Sequence, residues 1–510
     1  MYDIGAIWNG VFAVLSDPVT LLTTIFGTFL GLTFGTLPGL TAIMGIALLI
    51  PLTYSLSPVA GVAMLIGVYI GGMSGGAISA ILLNIPGTPS AVVTTFDGYP
   101  MAKKGQAAKA MGWAAFSSFF GTVFSWVILV FLSSYLAVIC TSFSVFEYAA
   151  LAFFGLTIVA AITSKNIFKS FSMLCLGLFL SIIGTDPLFG NMRFTFGNIN
   201  LMGGLYITPV VIGLFSFPQI LKTATEISGP RKLERVRIRD IMPSKKEIWQ
   251  HKLPLLVTSA IGTVVGIIPA TGQSIACFLS YSQCKKITKD PTPFGEGNPD
   301  GIIASEAANN SVCGGALVPL LTLGIPGDSV TAVLLGGLMI HGLQPGPSLF
   351  VEEFDFVVGI FTAMLIGAIT MLIMNIFCIR FFTMIISAPN CYLVGGVVIV
   401  SMIGAYALHG NFFDVLVMFV IGILSYFLVK ANYPLAPAVL GLVLGSMFER
   451  ELRTALRMSN GSMMPFFTRP IPLVIIILGV VFFCFSMFRT IRDSFRDSKT
   501  EDGQESAEEG

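Results

Sequence analysis

Residues 18–96 read PVTLLTTIFGTFLGLTFGTLPGLTAIMGIALLIPLTYSLSPVAGVAMLIGVYIGGMSGGAISAILLNIPGTPSAVVTTF and hold no Asp, Glu, Lys, Arg or His. A helix spanning a bilayer needs about 20 apolar residues, so this stretch is long enough for several crossings. It is also interrupted, at Pro38-Gly39, Pro51, Pro58, Pro86-Gly87 and Pro89. A backbone break in lipid leaves N–H and C=O groups without partners. It is tolerated only inside protein or beside a water-filled cavity. The interruptions therefore mark the interior of the molecule.

The rest of the chain agrees. Of 510 residues, 55% are apolar and 11% charged, against roughly 25% charged in an ordinary soluble domain. The charges crowd into 222–252 and 489–510. This composition excludes a cytosolic enzyme, a disordered chain and a secreted disulfide scaffold, and leaves an all-α polytopic membrane protein. A net charge of +1 gives no footing for nucleic acid. The eight cysteines form no C-x-x-C pair and read as small core residues. The N-terminus MYDIGAIWNG lacks a basic segment, so no cleavable signal peptide is expected.

The chain repeats itself. Gly31-x3-Gly35-x2-Pro38 recurs as Gly262-x3-Gly266-x2-Pro269, and Asn84-Ile85-Pro86-Gly87 as Gly324-Ile325-Pro326-Gly327. Asn166-Ile167-Phe168 aligns with Asn411-Phe412-Phe413, and Pro209-x3-Gly213 with Pro437-x3-Gly441. Loop charge gives the sign of the repeat. Lys285, Lys286 and Lys289 follow the first break of half two, where half one is uncharged; Lys103, Lys104 and Lys109 follow the second break of half one, where half two has Glu352, Glu353 and Asp355. Basic loops favour the cytoplasm, so equivalent loops face opposite sides. That is an inverted-topology repeat, common in secondary transporters.

The predicted threading has an interfacial segment at 1–18, a first inverted repeat at 19–221 and a basic cytoplasmic connector at 222–252. A second inverted repeat spans 253–448, followed by an external loop at 449–470, a final transmembrane helix at 471–488 and a disordered cytoplasmic tail at 489–510. Each repeat opens with a re-entrant hairpin (19–50 and 253–284) and contains a broken transmembrane helix (58–96 and 302–340). The count is about 11 crossings plus the hairpins. His251 reads as solvated in the connector, and His341 and His409 as surface residues at segment ends.

A helix N-terminus offers free N–H groups and partial positive charge, and holds a carboxylate without a cationic side chain. The two hairpin tips and two broken helices supply four such ends. Candidate substrate-binding residues are Pro38, Gly39, Thr41, Pro86, Gly87, Thr88, Ser90, Thr271, Gly272, Gln273, Ser274, Pro326 and Gly327. Asp328 is the only Asp, Glu, Lys or Arg between 307 and 351, and a lone intramembrane carboxylate is a functional candidate. It is read as a cation-binding or coupling residue, a candidate Na⁺ or proton site, with Asn309, Asn310, Ser329 and Asn84. Against this stands the bland alternative that Gly and Pro merely kink or pack these helices and that Glu306 snorkels to the interface. Ser74, in a Gly-rich run, reads as close helix packing.

These residues carry a resemblance to a known family. Gly35-Thr36-Leu37-Pro38-Gly39-Leu40-Thr41, Asn84 to Pro89, Asp97-Gly98-Tyr99-Pro100, Gly266 to Gly272, Glu306 to Asn310 and Gly324 to Asp328 resemble the large membrane subunit of the tripartite tricarboxylate transporters, the TctA type. The resemblance runs from about residue 18 to 488. It implies a multi-pass permease of the bacterial inner membrane, importing citrate-like carboxylates by symport with an ion. It implies two partners, a small membrane subunit of about four helices and a periplasmic solute-binding protein, and no cofactor beyond a coupling ion such as Na⁺. Elevator-like sliding is fold-level analogy. Two other readings compete: a passive carboxylate channel, and an intramembrane serine protease built on Gly72-Met73-Ser74-Gly75-Gly76 with His341 or His409 as base.

Overall fold

The computed structural model describes residues 4–37, 40–140, 143–162, 167–186, 189–225, 241–269, 271–386, 390–407 and 409–488. Pro38 and Gly39, most of the connector (226–240) and the tail from 489 lie outside the described residues.

The described chain is helical almost throughout. α1 (Ile4–Ser16) precedes a hairpin of α2 (Pro18–Thr36) and α3 (Ala42–Thr53). A broken segment follows, α4 (Pro58–Leu83) and α5 (Val92–Met101), then α6 (Ala107–Cys140), α7 (Val145–Ile162), α8 (Ile167–Ser181) and α9 (Ile207–Thr225). The connector contributes α10 (Lys245–Gln250). The second hairpin is α11 (Lys252–Ile267) and α12 (Gly272–Ile287), and the second broken segment α13 (Pro299–Leu323) and α14 (Ser329–Ile340). Then come α15 (Pro347–Glu352), α16 (Phe354–Phe377), α17 (Ile379–Ile386), α18 (Asn390–Ala407), α19 (Phe412–Lys430), α20 (Ala436–Met458), α21 (Met464–Thr468) and α22 (Pro470–Phe488). Six of the described helices are long and apolar enough to cross a membrane.

Local chemistry sets these boundaries. Asp17 caps α2 by accepting from the Val19 and Thr20 N–H groups, each at 3.1 Å, and Pro18 opens the helix. Ser57-Pro58 and Asn298-Pro299 start α4 and α13 the same way. α4 is apolar on every side and buried along nearly its whole length, as a helix at the centre of a bundle must be. Its small residues let α2 lie against it, with Gly27, Gly31 and Gly35 facing the backbone of Met64, Val68 and Gly72. Contacts this close favour helix association where lipid gives no hydrophobic drive.

The chain forms two compact units, each drawn from both sequence halves. The larger comprises residues 1–141 and 206–426 and contains both hairpins and both broken segments. α4, α6, α13 and α16 pack together at its centre. The smaller comprises 142–205 and 427–510, where α20 packs on α7 and α8.

Two local expectations change. Residues 449–470, expected as an external loop, are largely helical, because α20 continues to Met458 and α21 follows. The charges of this stretch do not stop a helix. Arg453 pairs with Asp186 at 2.8 Å and Arg193 with Glu449 at 2.7 Å, tying α20 to a small β-hairpin, β1 (Gly184–Thr185) and β2 (Met192–Arg193). His251 is not solvated. Its Nδ1 lies 2.6 Å from Asp300 Oδ1 and its ring packs edge-on against buried Trp113. Burial opposes protonation of His251, but the Asp300 hydrogen bond and the charges of Asp300, Asp290 and Glu247 outweigh it and raise its pKa. Nearby, Lys109 and the Ser244 N–H hold the Glu247 carboxyl down to about 2.

Candidate functional site

The two broken helices end alike. Asn84 terminates α4 in the left-handed conformation (φ 57°), and Gly324 terminates α13 likewise (φ 70°). Asn84 N–H returns to Ala80 and Ile85 N–H to Ser79; Gly324 N–H returns to Leu320 and Ile325 N–H to Pro319. Each is a Schellman-type stop that satisfies the last carbonyls before the proline.

The glycine after each proline is fixed by close approach. Gly87 lies against the Gly35 carbonyl, the Ser79 hydroxyl and Gly76, and Gly327 against the Gly266 carbonyl and Ala316. A Cβ at either position would run into backbone. The paired residues are those that the sequence alignment equates, Gly35 with Gly266 and Gly87 with Gly327. The N-caps of the next half-helices then diverge. Thr88 bonds Ser90 across 3.1 Å, while Asp328 forms a capping box with Thr331, whose N–H donates to Asp328 Oδ1 at 2.7 Å.

Asp328 is buried, and its second oxygen is also occupied. The Tyr69 hydroxyl of α4 donates to Oδ2 at 2.6 Å, and the Gln273 side-chain amide at the start of α12 donates to the same atom. Asp328 thus joins the second hairpin tip to the second broken helix and to α4. Both its oxygens are met by donors, so a cation there requires Gln273 or Tyr69 to let go. Among the described residues no group of three His, Cys, Asp or Glu side chains could hold a metal.

α13 carries a second polar set facing its neighbours. Glu306 is fully buried rather than snorkelling. Thr94 Oγ1 donates to its Oε1 at 2.5 Å and Ser118 Oγ to its Oε2 at 3.0 Å. Asn309 Nδ2 donates to the Met73 carbonyl at 3.0 Å. Asn310 Nδ2 lies 3.3 Å from Thr122 Oγ1 and 3.4 Å from the Ile70 carbonyl. Both Asn side-chain oxygens are buried without a donor.

The structure places the other sequence candidates as follows. Thr88, Ser90, Gly87, Pro326 and Gly327 are buried, Pro86, Thr41, Gly272, Gln273, Ser274, Thr271 and Ser329 are partly exposed, and Asn84 is exposed. Gly272 adopts φ 75°, and the Thr271 hydroxyl turns back to the Ile268 carbonyl. Gln273 and Asp328 are brought together; Asn309 and Asn310 instead bond α4 and α6. Ser74 accepts from Asn375 Nδ2 at 3.0 Å, whereas His341 bonds Thr53 and His409 bonds Asp414. Among the described residues the protease reading finds no Ser–His pair.

Sequence reasoning missed Tyr69, Thr94 and Ser118, whose roles depend on partners across the fold. Asp97, part of the Asp97-Gly98-Tyr99-Pro100 motif, was given no role. Its Oδ1 accepts the N–H groups of Gly295, Gly297 and Asn298 at 2.8–3.0 Å, and its Oδ2 accepts from Tyr281 at 2.8 Å. The clue was its place at the end of the charge-free run.

A sequence profile of the "Tripartite tricarboxylate transporter TctA family" matches residues 21–440. An "Uncharacterized 52.8 kDa protein in TAR-I ttuC' 3'region" of Agrobacterium vitis is 34% identical over 481 residues, covering 94% of this chain and 96% of that protein. A second Agrobacterium vitis protein, from the "TAR-II ttuC' 3'region", is 36% identical over 231 residues, 45% of this chain and 96% of its own length. Among solved structures, the transmembrane domain of the cyanobacterial bicarbonate transporter BicA overlaps 81% of this chain and 97% of its own. Its identity is 13% and its TM-score 0.18, too low to bear on the fold. By the profile match and the relative aligned along nearly its full length, the chain belongs to the tripartite tricarboxylate transporter TctA family.

Proposed function

We propose that this chain is the large permease subunit of a three-part importer for tricarboxylates or related carboxylates, citrate among them, driven by a Na⁺ or proton gradient. A periplasmic binding protein delivers the substrate, and a small four-helix membrane subunit completes the complex in the bacterial inner membrane, with the C-terminus cytoplasmic. The observation that carries this reading is the matched pair of broken helices. Gly87 on Gly35 and Gly327 on Gly266 put two half-helix starts inside the protein by the same contacts. Such starts bind carboxylates through backbone N–H groups. The same pairing supports an inverted repeat, with the oppositely charged loops giving its sense.

Gln273 then has two roles. In this state it bonds Asp328. A substrate carboxylate at the hairpin tip, near Thr271, Gly272 and Ser274, competes for the Gln273 amide and frees an Asp328 oxygen for a cation. Substrate and ion binding are thereby linked through one side chain, and linkage is reciprocal. Sliding of a substrate-bearing bundle is the motion that hairpins favour.

The test is uptake of radiolabelled di- and tricarboxylates into membrane vesicles, with and without a Na⁺ or pH gradient and with purified binding protein. Uphill uptake that collapses with the gradient supports the reading. Passive equilibration alone would establish a channel in its place.

A further inference from the structure

We propose that Glu306 is a proton-carrying site, separate from Asp328, and that the state described holds it as the neutral acid. The inference rests on the reading of the chain as a gradient-driven importer and names the ion. Glu306 sits in the N-terminal third of α13 with no exposed surface. Among the described residues it pairs with no Lys, Arg or His. Its surroundings are hydroxyls: Thr94 at 2.5 Å, Ser118 at 3.0 Å, and Ser305, which lies 2.7 Å from Thr94 Oγ1.

An ionised carboxylate buried without a counter-charge is strongly disfavoured. A protonated one needs an acceptor for its O–H. In the neutral acid one of the two hydroxyl bonds reverses, the Glu306 O–H donating to Thr94 or Ser118 Oγ, because hydroxyl oxygens accept as well as donate. Two hydroxyls make a poor shell for Na⁺ but a complete one for a carboxylic acid. One turn along α13, beside Thr122, the Asn310 side-chain oxygen is buried without a donor, as is that of Asn309. The Asn310 oxygen is an acceptor along the same α13–α6 seam for a water that relays the proton. On opening to the side of low proton concentration, the Glu306 O–H bond breaks, the proton passes to water and the carboxylate remains. Reprotonation from the other side restores the buried acid.

No other charge on the packed helices offsets Glu306. On α5, Asp97 is committed to Tyr281 and to the loop before α13. On α12, the Cys277 thiol bonds the Ser305 carbonyl, Cys284 faces Asp300, and Lys285 lies over Tyr281 at the helix end. On α6, Lys109 pairs with Glu247. On α4, Tyr69 is bound to Asp328, which caps α14. α11 bears no ionisable residue beyond Lys252, α13 itself adds Asp300, bound to His251, and Cys313, and α15 adds only Glu352.

Two measurements test this. The first needs no substrate: infrared difference spectra of the reconstituted full-length protein across a pH titration. A carboxylic-acid carbonyl band is expected in the wild type and in Asp328→Asn, and absent in Glu306→Gln. A band unchanged by Glu306→Gln would overturn the proposal. The second uses labelled citrate. Glu306→Gln, which mimics the neutral acid, should lower pH-gradient-driven uptake by roughly tenfold or more while leaving citrate exchange within about twofold of wild type. Uptake as in the wild type, or a loss seen with a Na⁺ gradient alone, would overturn it. If the band is lost in Glu306→Gln but no carboxylate is transported by the wild type, the functional reading fails and the proton site stands.

Discussion

Tyr69 and Asp328, 259 positions apart, are joined by a 2.6 Å hydrogen bond between two buried side chains. One belongs to the first sequence half and the other to the second, so the bond ties α4 to the start of α14. With Gln273 it makes Asp328 both a helix cap and a junction. The two roles separate by substitution. Asn caps a helix about as well as Asp, whereas Ala loses the cap at about 0.5–2 kcal/mol. Asp328→Asn should therefore retain expression and thermal stability but lose gradient-driven uptake, and Asp328→Ala should lose both. Uptake unchanged in Asp328→Asn would leave the residue as a cap alone.

The glycines at the breaks make a stability prediction. A methyl at Gly87 or Gly327 meets backbone carbonyls that do not move aside. Gly87→Ala and Gly327→Ala should each destabilise by about 1–3 kcal/mol, while Gly395→Ala, which meets open space, should not. Thermal unfolding in detergent compares the three. Equal midpoints would show that the breaks tolerate repacking.

The inverted sense of the repeat is open to labelling. Lys103 and Glu352 are both exposed and lie in the oppositely charged segments that the sequence repeat pairs. Single cysteines there, probed in intact cells with an impermeant thiol reagent, should react from opposite faces of the membrane. Reaction from one face ends the inversion.

Much of this layout was readable from the chain itself. The charge-free run and its prolines gave the helices nearly to their ends, because Pro and Gly act locally and lipid forbids loose backbone. The paired breaks were legible because Gly87 and Gly327 keep the same neighbours. What stayed hidden was partnership. Tyr69 looks like any aromatic residue in an apolar helix until Asp328 is beside it. Glu306 looks able to reach the interface until α6 and α5 close over it. The helical stretch after residue 448 is not legible from its charges, because their partners Asp186 and Arg193 lie far away in sequence.

His251 gives a pH dependence with a definite sign. Its folded pKa is raised above the ordinary value of 6.5, so the pairing with Asp300 contributes fully below about pH 6.5. The contribution fades as pH climbs through the raised folded value. His251→Gln should lower the unfolding midpoint most on the acid side of pH 6.5 and progressively less as pH rises through the raised folded value. A deficit that grows with pH would contradict the pairing.

Asp97 makes the most local prediction. One carboxylate oxygen gathers three backbone N–H groups from the segment linking α12 to α13, where Gly295 and Gly297 take positive φ of 92° and 97°. Among the described residues no other side chain accepts from these N–H groups. Asp97→Ala leaves three donors without acceptors at about 1–3 kcal/mol for each that stays buried, and the segment should come away from α5 instead. Lys289 lies just before it, so trypsin should cut there much faster in Asp97→Ala than in the wild type, while Tyr281→Phe, which removes only the bond to the second oxygen, should stay close to wild type. Cleavage at the wild-type rate in Asp97→Ala would mean the loop is held by something other than this carboxylate.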